Sequence, residues 1–327
     1  MEDLIVKISD KCNFACEFCS SNNIATNHND LDINILKDYL LNHEVGSLIV
    51  NGGDPLCTDP EYYWELLEFI RSNNLKTYIS FTTNLLDFWR HPDKWTPLFN
   101  ESGIGICTSF QYGGKRKLAT GEVFTEAMFR EVYALFEERT GKKLKFIAVI
   151  DDDNEDTVIE TVQLAKNLET TCKINPCLRS GRASSEYSYA KMFERYLDII
   201  EAGLSEYEEN NQLVRDAWHG KFTLCAYAPS CGTIMCMSPD GSVTRCGSIS
   251  DDIMQGGIPD YFLLKSDKVP FNLTALGTMC FTCEFHNICN SCHKRVMDIR
   301  DGGYEAEHCV NMHAQLERAK KILGEQC

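Results

Sequence analysis

Three cysteines stand close together near the start of the chain, in the stretch CNFACEFC. Cys12, Cys16 and Cys19 have the spacing C-x3-C-x2-C. A closed structural zinc site normally has four protein ligands, whereas a site that does chemistry leaves one position open. The closest histidine, His28, lies nine residues beyond Cys19. The spacing therefore favours a 4Fe–4S cluster with one open iron, and a zinc site is the alternative.

A second group of cysteines lies towards the other end of the chain. Its eight candidate metal ligands are Cys225, Cys231, Cys246, Cys280, Cys283, Cys289, Cys292 and Cys309. Four of them have the spacing C-x2-C-x5-C-x2-C, which suits zinc as well as iron–sulfur, so both alternatives stay open. The chain has 17 cysteines, and its start, MEDLIVKISD, lacks a signal-peptide pattern. Metal or redox use is therefore a better prediction than disulfides, and we expect a cytoplasmic protein.

The elements that must position the first cysteines alternate between two patterns. The predicted strands are residues 3–9, 47–51, 77–84, 103–110, 144–150 and 172–178. Amphipathic segments between and after them predict helices at residues 32–43, 59–74, 125–141, 156–169 and 188–203. This alternation indicates a parallel sheet with crossover helices. Because six units are too few to close an eight-stranded barrel, we predict an α/β fold, a partial (β/α)6 barrel with its site at the carboxyl ends of the strands.

The pattern changes after residue 205. Glycine, proline, serine and cysteine become more frequent, and a helical period returns only at residues 304–327. A small region with little apolar core usually needs metals or disulfides to hold it together. We therefore predict two domains, the partial barrel over residues 1–205 and a small cysteine-rich domain over residues 206–327 that ends in a helix.

Charge and composition argue against two classes of partner. The net charge of −16 disfavours a protein that binds nucleic acid by neutralising phosphates. No apolar run approaches the ~20 residues that a membrane span needs, so no membrane partner is expected. The basic triplet Lys115, Arg116 and Lys117 is interpreted as a solvated loop, with a contact to an acidic substrate as the alternative.

The residues around the first cysteines resemble the radical S-adenosylmethionine (AdoMet) enzymes. CNFACEFC resembles the family's signature, including the aromatic residue before the third cysteine. GGDP, after the second strand, looks like the motif that binds the methionine amino group, although Asp54 stands where the family usually has Glu. TTN (82–84), TSFQ (108–111) and NPCLRSGRA (175–183) are weaker matches in the family's order. The resemblance assigns AdoMet binding to Phe18, Gly52, Gly53, Asp54, Asn84, Ser109, Leu178 and Arg182.

The same resemblance implies that Cys12, Cys16 and Cys19 are the catalytic ligands of a 4Fe–4S cluster, whose open iron binds the amino and carboxylate groups of AdoMet. Reductive cleavage would give methionine and a 5′-deoxyadenosyl radical that abstracts a substrate hydrogen. The later cysteines resemble the SPASM domain, which holds two auxiliary 4Fe–4S clusters, although the last gap of the four-cysteine run is one residue shorter than usual. The family's pairing gives the sets Cys225, Cys231, Cys246, Cys292 and Cys280, Cys283, Cys289, Cys309.

Enzymes with this extension mostly modify peptides or proteins, and the predicted function is a crosslink, thioether or epimerisation in a ribosomally made peptide. Gly247 stands where the sulfatase-maturing branch has a catalytic Asp, so formylglycine formation is not expected. Radical modification of a nucleoside, a sugar or another small metabolite is the alternative. A non-enzymatic iron–sulfur or zinc sensor, or a binding module, is a third interpretation.

The expected partners follow from this chemistry. They are a peptide or small-molecule substrate and a reductant such as flavodoxin or ferredoxin. The chain starts almost at the first strand, which leaves no room for a leader-binding domain, so a separate leader-peptide-binding protein is a further candidate. Tyr112, Arg116 and Arg182 are expected to line the substrate pocket. Cys57 and Cys236, outside the metal sets, are candidates to exchange a hydrogen atom with a radical.

Overall fold

The computed structural model of the protein describes residues 1–19, 30–178, 181–183, 187–219, 234–245, 283, 303 and 305–324. The chain divides into two units, each assembled from several parts of the sequence. Unit 1 comprises Met1–Val149, Leu178–Ser185 and Gly232–Ile258, and unit 2 comprises Ile150–Cys177, Glu186–Cys231 and Pro259–Cys327. The domain division predicted between residues 205 and 206 stays a prediction.

Unit 1 is built on a mostly parallel sheet. The strands of the described chain are β1 (Glu2–Ser9), β2 (Val45–Gly52), β3 (Tyr78–Thr82), β4 (Ile104–Ser109), β5 (Lys145–Ile150), β6 (Cys172–Pro176), β7 (Ile234–Met237) and β8 (Val243–Arg245). The strands of unit 1 lie in the order β5-β4-β3-β2-β1-β7-β8. All neighbouring pairs in this order are parallel except β7 and β8. The predicted α/β class is confirmed, and β7 and β8 are additions to the six predicted strands.

The helices of the described chain include at least one after each of the strands β1 to β6. They are α1 (Ile33–Asn42), α2 (Pro60–Ser72), α3 (Leu86–Arg90), α4 (Pro92–Phe99), α5 (Glu126–Thr140), α6 (Val158–Asn167), α7 (Tyr189–Glu201), α8 (Glu209–Trp218) and α9 (Glu305–Leu323). Asp32 caps α1 by accepting a hydrogen bond from the N–H of Asn34 at 2.9 Å. The sequence did not predict α3, α4 or α8. Across the described ranges, every helix is too short or too polar to cross a membrane.

The core of unit 1 is rich in aromatic side chains. The ring of Phe81 on β3 lies 4.8 Å from that of Tyr63 on α2 and 6.0 Å from that of Phe99 on α4, both edge-to-face. All three side chains are fully buried. Aromatic pairs in this geometry contribute about 0.5–1.5 kcal/mol beyond the area that they bury. The packing fixes β3 against two helices, and so holds the turn that follows β3 in place.

A buried carboxylate lies between β6 and α8 in unit 2. Glu208, only 1% exposed, accepts hydrogen bonds from the backbone N–H groups of Ile174 and Asn211, each at 2.8 Å. It also accepts one from Nδ2 of Asn211 at 3.0 Å. Burial raises the pKa of Glu208 to about 7, although these hydrogen bonds reduce the shift. The Glu208 side chain therefore links β6 to the start of α8. Burying its ionised form costs free energy, and this cost grows as the pH rises through the pKa.

Replacing Glu208 with Gln is expected to remove a pH dependence of the stability. Its folded-state pKa of about 7 lies above the ordinary value of 4.5, so between these values the folded chain holds a proton that the unfolded chain has lost. The free energy of unfolding should therefore fall as the pH rises from about 5 to about 8, by up to about 3 kcal/mol. Urea unfolding of wild type and Glu208→Gln at both pH values measures the effect. Equal pH dependence in the two proteins would contradict it.

Candidate functional site

The cysteine loop, residues 10–19, follows the carboxyl end of β1. Cys16 is buried, and Cys12 and Cys19 are partly buried. The backbone N–H of Phe14 donates a hydrogen bond to Cys12 Sγ at 3.4 Å. Burial is the main cause that raises the pKa of the Cys12 thiol. One short loop thus presents three thiols beside the carboxyl end of β1, and one of these thiols already accepts an N–H hydrogen bond.

A segment that includes the basic triplet, residues 115–119, holds the cysteine loop from one side. The N–H of Ala15 donates to the carbonyl oxygen of Lys117 at 2.7 Å. The N–H of Glu17 donates to the carbonyl oxygen of Lys115 at 3.0 Å. The side chains of Lys117 and Glu17 also form an ion pair. The triplet is therefore part of the scaffold that shapes the cysteine loop.

Two glycines bring the end of β2 against the start of the cysteine loop. The N–H of Gly53 donates to the carbonyl oxygen of Ser9 at 2.8 Å, and that of Asp54 donates to the carbonyl oxygen of Lys11 at 2.7 Å. A Cβ atom at Gly53 would lie 2.0 Å from that oxygen of Lys11, so a larger residue cannot fit. Gly52 has φ +123°, a conformation that glycine adopts without strain.

The carboxylate of Asp54 is buried and faces the protein's own chain. The side chain is 3% exposed, and its Oδ1 accepts hydrogen bonds from the N–H of Leu56 and the hydroxyl of Thr83, both at 2.9 Å. Its Oδ2 accepts a hydrogen bond from the backbone N–H of Asn84 at 2.7 Å. Burial raises the pKa of Asp54 to about 6, and these hydrogen bonds lower it. The carboxylate thus joins the end of β2 to the turn after β3.

Asn84 links this turn to the cysteine loop. Its Nδ2 donates to Oδ1 of Asn13 at 2.7 Å and lies 4.0 Å from Cys12 Sγ. Its Oδ1 accepts a hydrogen bond from the N–H of Leu86 at 2.8 Å, at the start of α3. Asn84 was predicted from its motif, whereas Asn13 was missed, because its only signal was its place between the first two cysteines.

Arg116 lies buried beside Ser109 and the cysteine loop. It is 5% exposed, and its Nη1 donates to Oγ of Ser109 at 2.9 Å. Its Nε and Nη2 donate to Oε1 of Gln111 at 3.0 and 2.7 Å. The guanidinium carbon lies 5.1 Å from the ring centroid of Phe18. Burial lowers the pKa of Arg116, whereas the three loop thiols raise it. The interpretation of Arg116 as part of a solvated loop is therefore wrong.

The other predicted pocket residues are placed differently. The backbone N–H of Arg182 donates to the carbonyl oxygen of Cys19 at 2.9 Å, and its side-chain Nε is a buried donor without a hydrogen-bond partner among the described residues. The hydroxyl of Tyr112 donates to Glu126 at 3.0 Å, which ties it to α5. Leu178 is partly buried in unit 1. Arg182 thus reaches the cysteine loop, whereas the Tyr112 hydroxyl is engaged at the start of a helix.

Two of the eight later cysteines, Cys283 and Cys309, are described by the structure. Cys283 Sγ lies 3.5 Å from Nε2 of His313 on α9. His313 follows Cys309 by four residues, which puts both on one helix face, and this spacing is a signal in the sequence that was missed. Outside the described residues lie Cys225, Cys231, Cys246, Cys280, Cys289 and Cys292. In the part of the chain that is described, no group of three or more His, Cys, Asp and Glu side chains is placed to hold a metal ion.

The two cysteines outside the metal sets differ in environment. Cys57 lies beside the cysteine loop, where its sulfur accepts a hydrogen bond from the backbone N–H of Asn13. Burial and the charge of Asp54 raise the pKa of Cys57. Cys236 is fully buried on β7 and belongs to an apolar cluster with Ile5. Of these two thiols, Cys57 is the one at the candidate site.

Solved structures resemble this chain along most of its length, whereas no protein-family model and no curated protein matches it. Hexahistidine-tagged anSMEcpe with bound AdoMet has a TM-score of 0.72 at 19% identity, over 98% of this chain and 93% of that one. It is an anaerobic sulfatase maturating enzyme of the SPASM radical AdoMet group. The chain has the fold of these enzymes. The predicted resemblance and fold class are thereby confirmed.

Two further structures with the radical AdoMet fold contain peptides. Native anSMEcpe with bound AdoMet and the Cp18Cys peptide has a TM-score of 0.68 at 19% identity, over 98% of this chain and 97% of that one. Streptococcus suis SuiB bound to the precursor peptide SuiA has a TM-score of 0.60 at 17% identity, over 89% of this chain and 71% of that one. Likeness at these identities establishes the fold, whereas the activity depends on the residues of the site.

Proposed function

We propose that the protein is a radical AdoMet enzyme of the SPASM subgroup that modifies a peptide. The observation that carries the proposal is the convergence of four predicted motifs on the carboxyl ends of β1 to β4. The cysteine loop follows β1, the segment 52–54 follows β2, Asn84 follows β3, and Ser109 ends β4. Hydrogen bonds link the first three of them directly. In parallel α/β sheets this edge is where ligands bind.

The donors of the cysteine loop fit a 4Fe–4S cluster. Each cysteine of such a cluster binds a different iron, so the sulfur atoms stand farther apart than the ligands of one metal ion. Cys12, Cys16 and Cys19 would hold three irons and leave the fourth for the amino and carboxylate groups of AdoMet. The buried cation of Arg116 would offset part of the thiolate charge. When bound, the cluster and AdoMet supply an organic radical that removes a hydrogen atom from the substrate.

The residues around the loop would shape the AdoMet pocket. They are Phe18, Gly52, Gly53, Asp54, Asn84, Ser109, Leu178 and Arg182, and we add Arg116. Arg116 belongs with this set rather than with the substrate pocket, because it donates to Ser109 and lies over Phe18. A buried guanidinium beside a serine hydroxyl suits a carboxylate such as that of AdoMet.

The later cysteines would hold two auxiliary 4Fe–4S clusters, which makes three clusters in all. Their spacing and the shared fold support this part of the proposal. The contact between Cys283 and His313 puts a polar side chain next to one predicted ligand. A ring N–H that donates to a cluster sulfur is a usual means of tuning a cluster's potential.

A peptide is the proposed substrate because two similar structures contain one. SuiB is bound to a precursor peptide and anSMEcpe to the Cp18Cys peptide. A crosslink, a thioether or an epimerisation in a ribosomally made peptide is the proposed reaction. A cytoplasmic location, a reductant such as flavodoxin or ferredoxin, and a separate leader-binding protein complete the proposal.

Anaerobic turnover tests this function. The reconstituted protein receives AdoMet and dithionite, and separate reactions receive the peptide-sized and the small-metabolite fractions of the source cell lysate. We expect the peptide fraction to raise the yield of 5′-deoxyadenosine, measured by mass spectrometry. The absence of 5′-deoxyadenosine from every reaction would overturn the enzymatic proposal. Stimulation by the metabolite fraction alone would replace the peptide by a nucleoside, sugar or related compound.

A further inference from the structure

Asp54 stands where related enzymes have a residue of the motif for the methionine amino group, yet its carboxylate is engaged elsewhere. An ionised carboxylate has two oxygens and about four acceptor positions. Both oxygens of Asp54 already accept hydrogen bonds from the protein's own donors, on Leu56, Thr83 and Asn84. With 3% of its surface exposed, the residue has little room for a further partner.

These donors lead from Asp54 to the cysteine loop. The carboxylate fixes the backbone N–H of Asn84 at 2.7 Å, and the Asn84 side chain donates to Asn13 at 2.7 Å. The other end of the Asn84 amide accepts from Leu86, so the side chain is held at both ends. Asn13 is the residue directly after Cys12. The chain of contacts therefore runs from the end of β2, through the turn after β3, to the first cysteine.

We propose that Asp54 is a positioning residue, which acts through Asn84 to fix the Cys12 end of the cysteine loop, and that its side chain does not bind AdoMet. The inference deepens the proposed function and rests on it for the role of the loop. The geometric part of the proposal, that Asp54 holds the cysteine loop through Asn84, involves only residues of the chain. The choice of Asp rather than Glu follows, because a side chain one methylene longer would push its oxygens past the N–H groups of Leu56 and Asn84 in a buried site.

Hydrogen exchange in the cluster-free full-length chain tests the geometric part. Asp54→Asn keeps the shape of the side chain but replaces one accepting oxygen by an NH2 group. We expect amide exchange in a peptide covering residues 10–19 to become about tenfold faster. The matched control is Asp151→Asn, since Asp151 is another buried carboxylate and its Oδ1 accepts a hydrogen bond from the backbone N–H of Asp153 at 2.9 Å. This control should leave the loop's exchange unchanged.

AdoMet binding to the reconstituted protein separates positioning from direct contact. We expect Asp54→Asn and Asn84→Ala each to weaken binding about tenfold, and the double variant to be no weaker than Asn84→Ala alone. Asp54→Glu should bind AdoMet as weakly as Asp54→Asn does. Additive losses in the double variant, or wild-type affinity in Asp54→Glu, would overturn the proposal in favour of a direct ligand.

The two levels of failure can be told apart. If the wild-type chain binds no AdoMet, the proposed function fails, and the exchange experiment still decides whether Asp54 holds the cysteine loop. If AdoMet binds but Asp54→Asn leaves loop exchange at the wild-type rate, the positioning role fails while the proposed function stands. Thermal unfolding shows whether each variant has folded. If Asp54→Asn has not folded, Thr83→Val replaces it in both experiments, because this variant removes one hydrogen-bond donor to the Asp54 carboxylate and keeps Asn84.

Discussion

Replacing Cys16 with alanine is expected to abolish AdoMet cleavage. Cys16 is the buried member of the cysteine loop, and its carbonyl oxygen also accepts the N–H of Cys19 at 3.4 Å. Without its thiol the loop offers two ligands, too few to hold a 4Fe–4S cluster with one open iron. The reconstituted variant should contain about four iron atoms fewer than wild type and give no 5′-deoxyadenosine above background. Iron analysis, electron paramagnetic resonance and mass spectrometry measure the loss of iron, of the cluster and of cleavage.

A second cysteine variant controls for the loss of any thiol. Cys107 on β4 belongs to no predicted metal set, and its Sγ donates to a backbone carbonyl oxygen, that of Thr108, at 3.6 Å. Cys107→Ala should keep the iron content and the 5′-deoxyadenosine yield of wild type. Full 5′-deoxyadenosine formation by Cys16→Ala would contradict the prediction, because the cluster that cleaves AdoMet would then be held by other residues.

The strands of unit 1 were predictable because their pattern is local. Each of β1 to β5 is a short apolar segment that ends at a polar or glycine-rich turn, and the structure places all five within a few residues of the prediction. In contrast, β7 has four residues, Ile234–Met237, and its neighbour is β1 at the other end of the sequence. A pairing of that kind depends on long-range contacts, which the period of a short segment does not reveal.

The helices α3 and α4 were missed for a different reason. They cover five and eight residues, and the single residue His91 separates the end of α3 from Pro92, which begins α4. Such short helices are marginal by themselves, so packing rather than propensity stabilises them. Phe88, Trp95 and Phe99 supply that packing as fully buried side chains. The turn that opens α3 also needs Leu85 at φ 61°, a conformation that leucine rarely adopts.

The sequence predicted the motifs of the candidate site but not the hydrogen bonds that connect them. Cysteine spacing and GGDP identify the loops because each is a continuous stretch. Asn13 and Arg116 act through partners that folding brings close, such as Asn84 for the first and Ser109 for the second. A basic triplet usually means a solvated surface, and here one of its three members is buried because the neighbouring backbone pairs with the cysteine loop.

Replacing Arg116 with lysine is expected to weaken AdoMet binding by about 10- to 100-fold while the iron content is kept. Lysine keeps the positive charge beside the cysteine loop, but it cannot reproduce the fork that donates to Ser109 and Gln111 at once. Each hydrogen bond to a buried charge contributes about 1.5–3 kcal/mol, and about 1.4 kcal/mol corresponds to a factor of ten. Calorimetric titration of the reconstituted protein with AdoMet measures the change.

The neighbouring lysine is the matched control for that variant. Lys117 pairs with Glu17 at a partly exposed position, and ion pairs of that kind contribute little. The dissociation constant of AdoMet from Lys117→Gln should therefore lie within about threefold of the wild-type value, which is a change in binding free energy below about 1 kcal/mol. If Arg116→Lys keeps wild-type AdoMet affinity but loses turnover with the stimulating lysate fraction, Arg116 faces the substrate, as the sequence first suggested. If Arg116→Lys instead loses AdoMet affinity while its iron content stays at the wild-type value, Arg116 belongs to the AdoMet site. A substitution that weakens AdoMet binding and leaves the cluster intact acts on a group that contacts AdoMet, or on one that positions such a group.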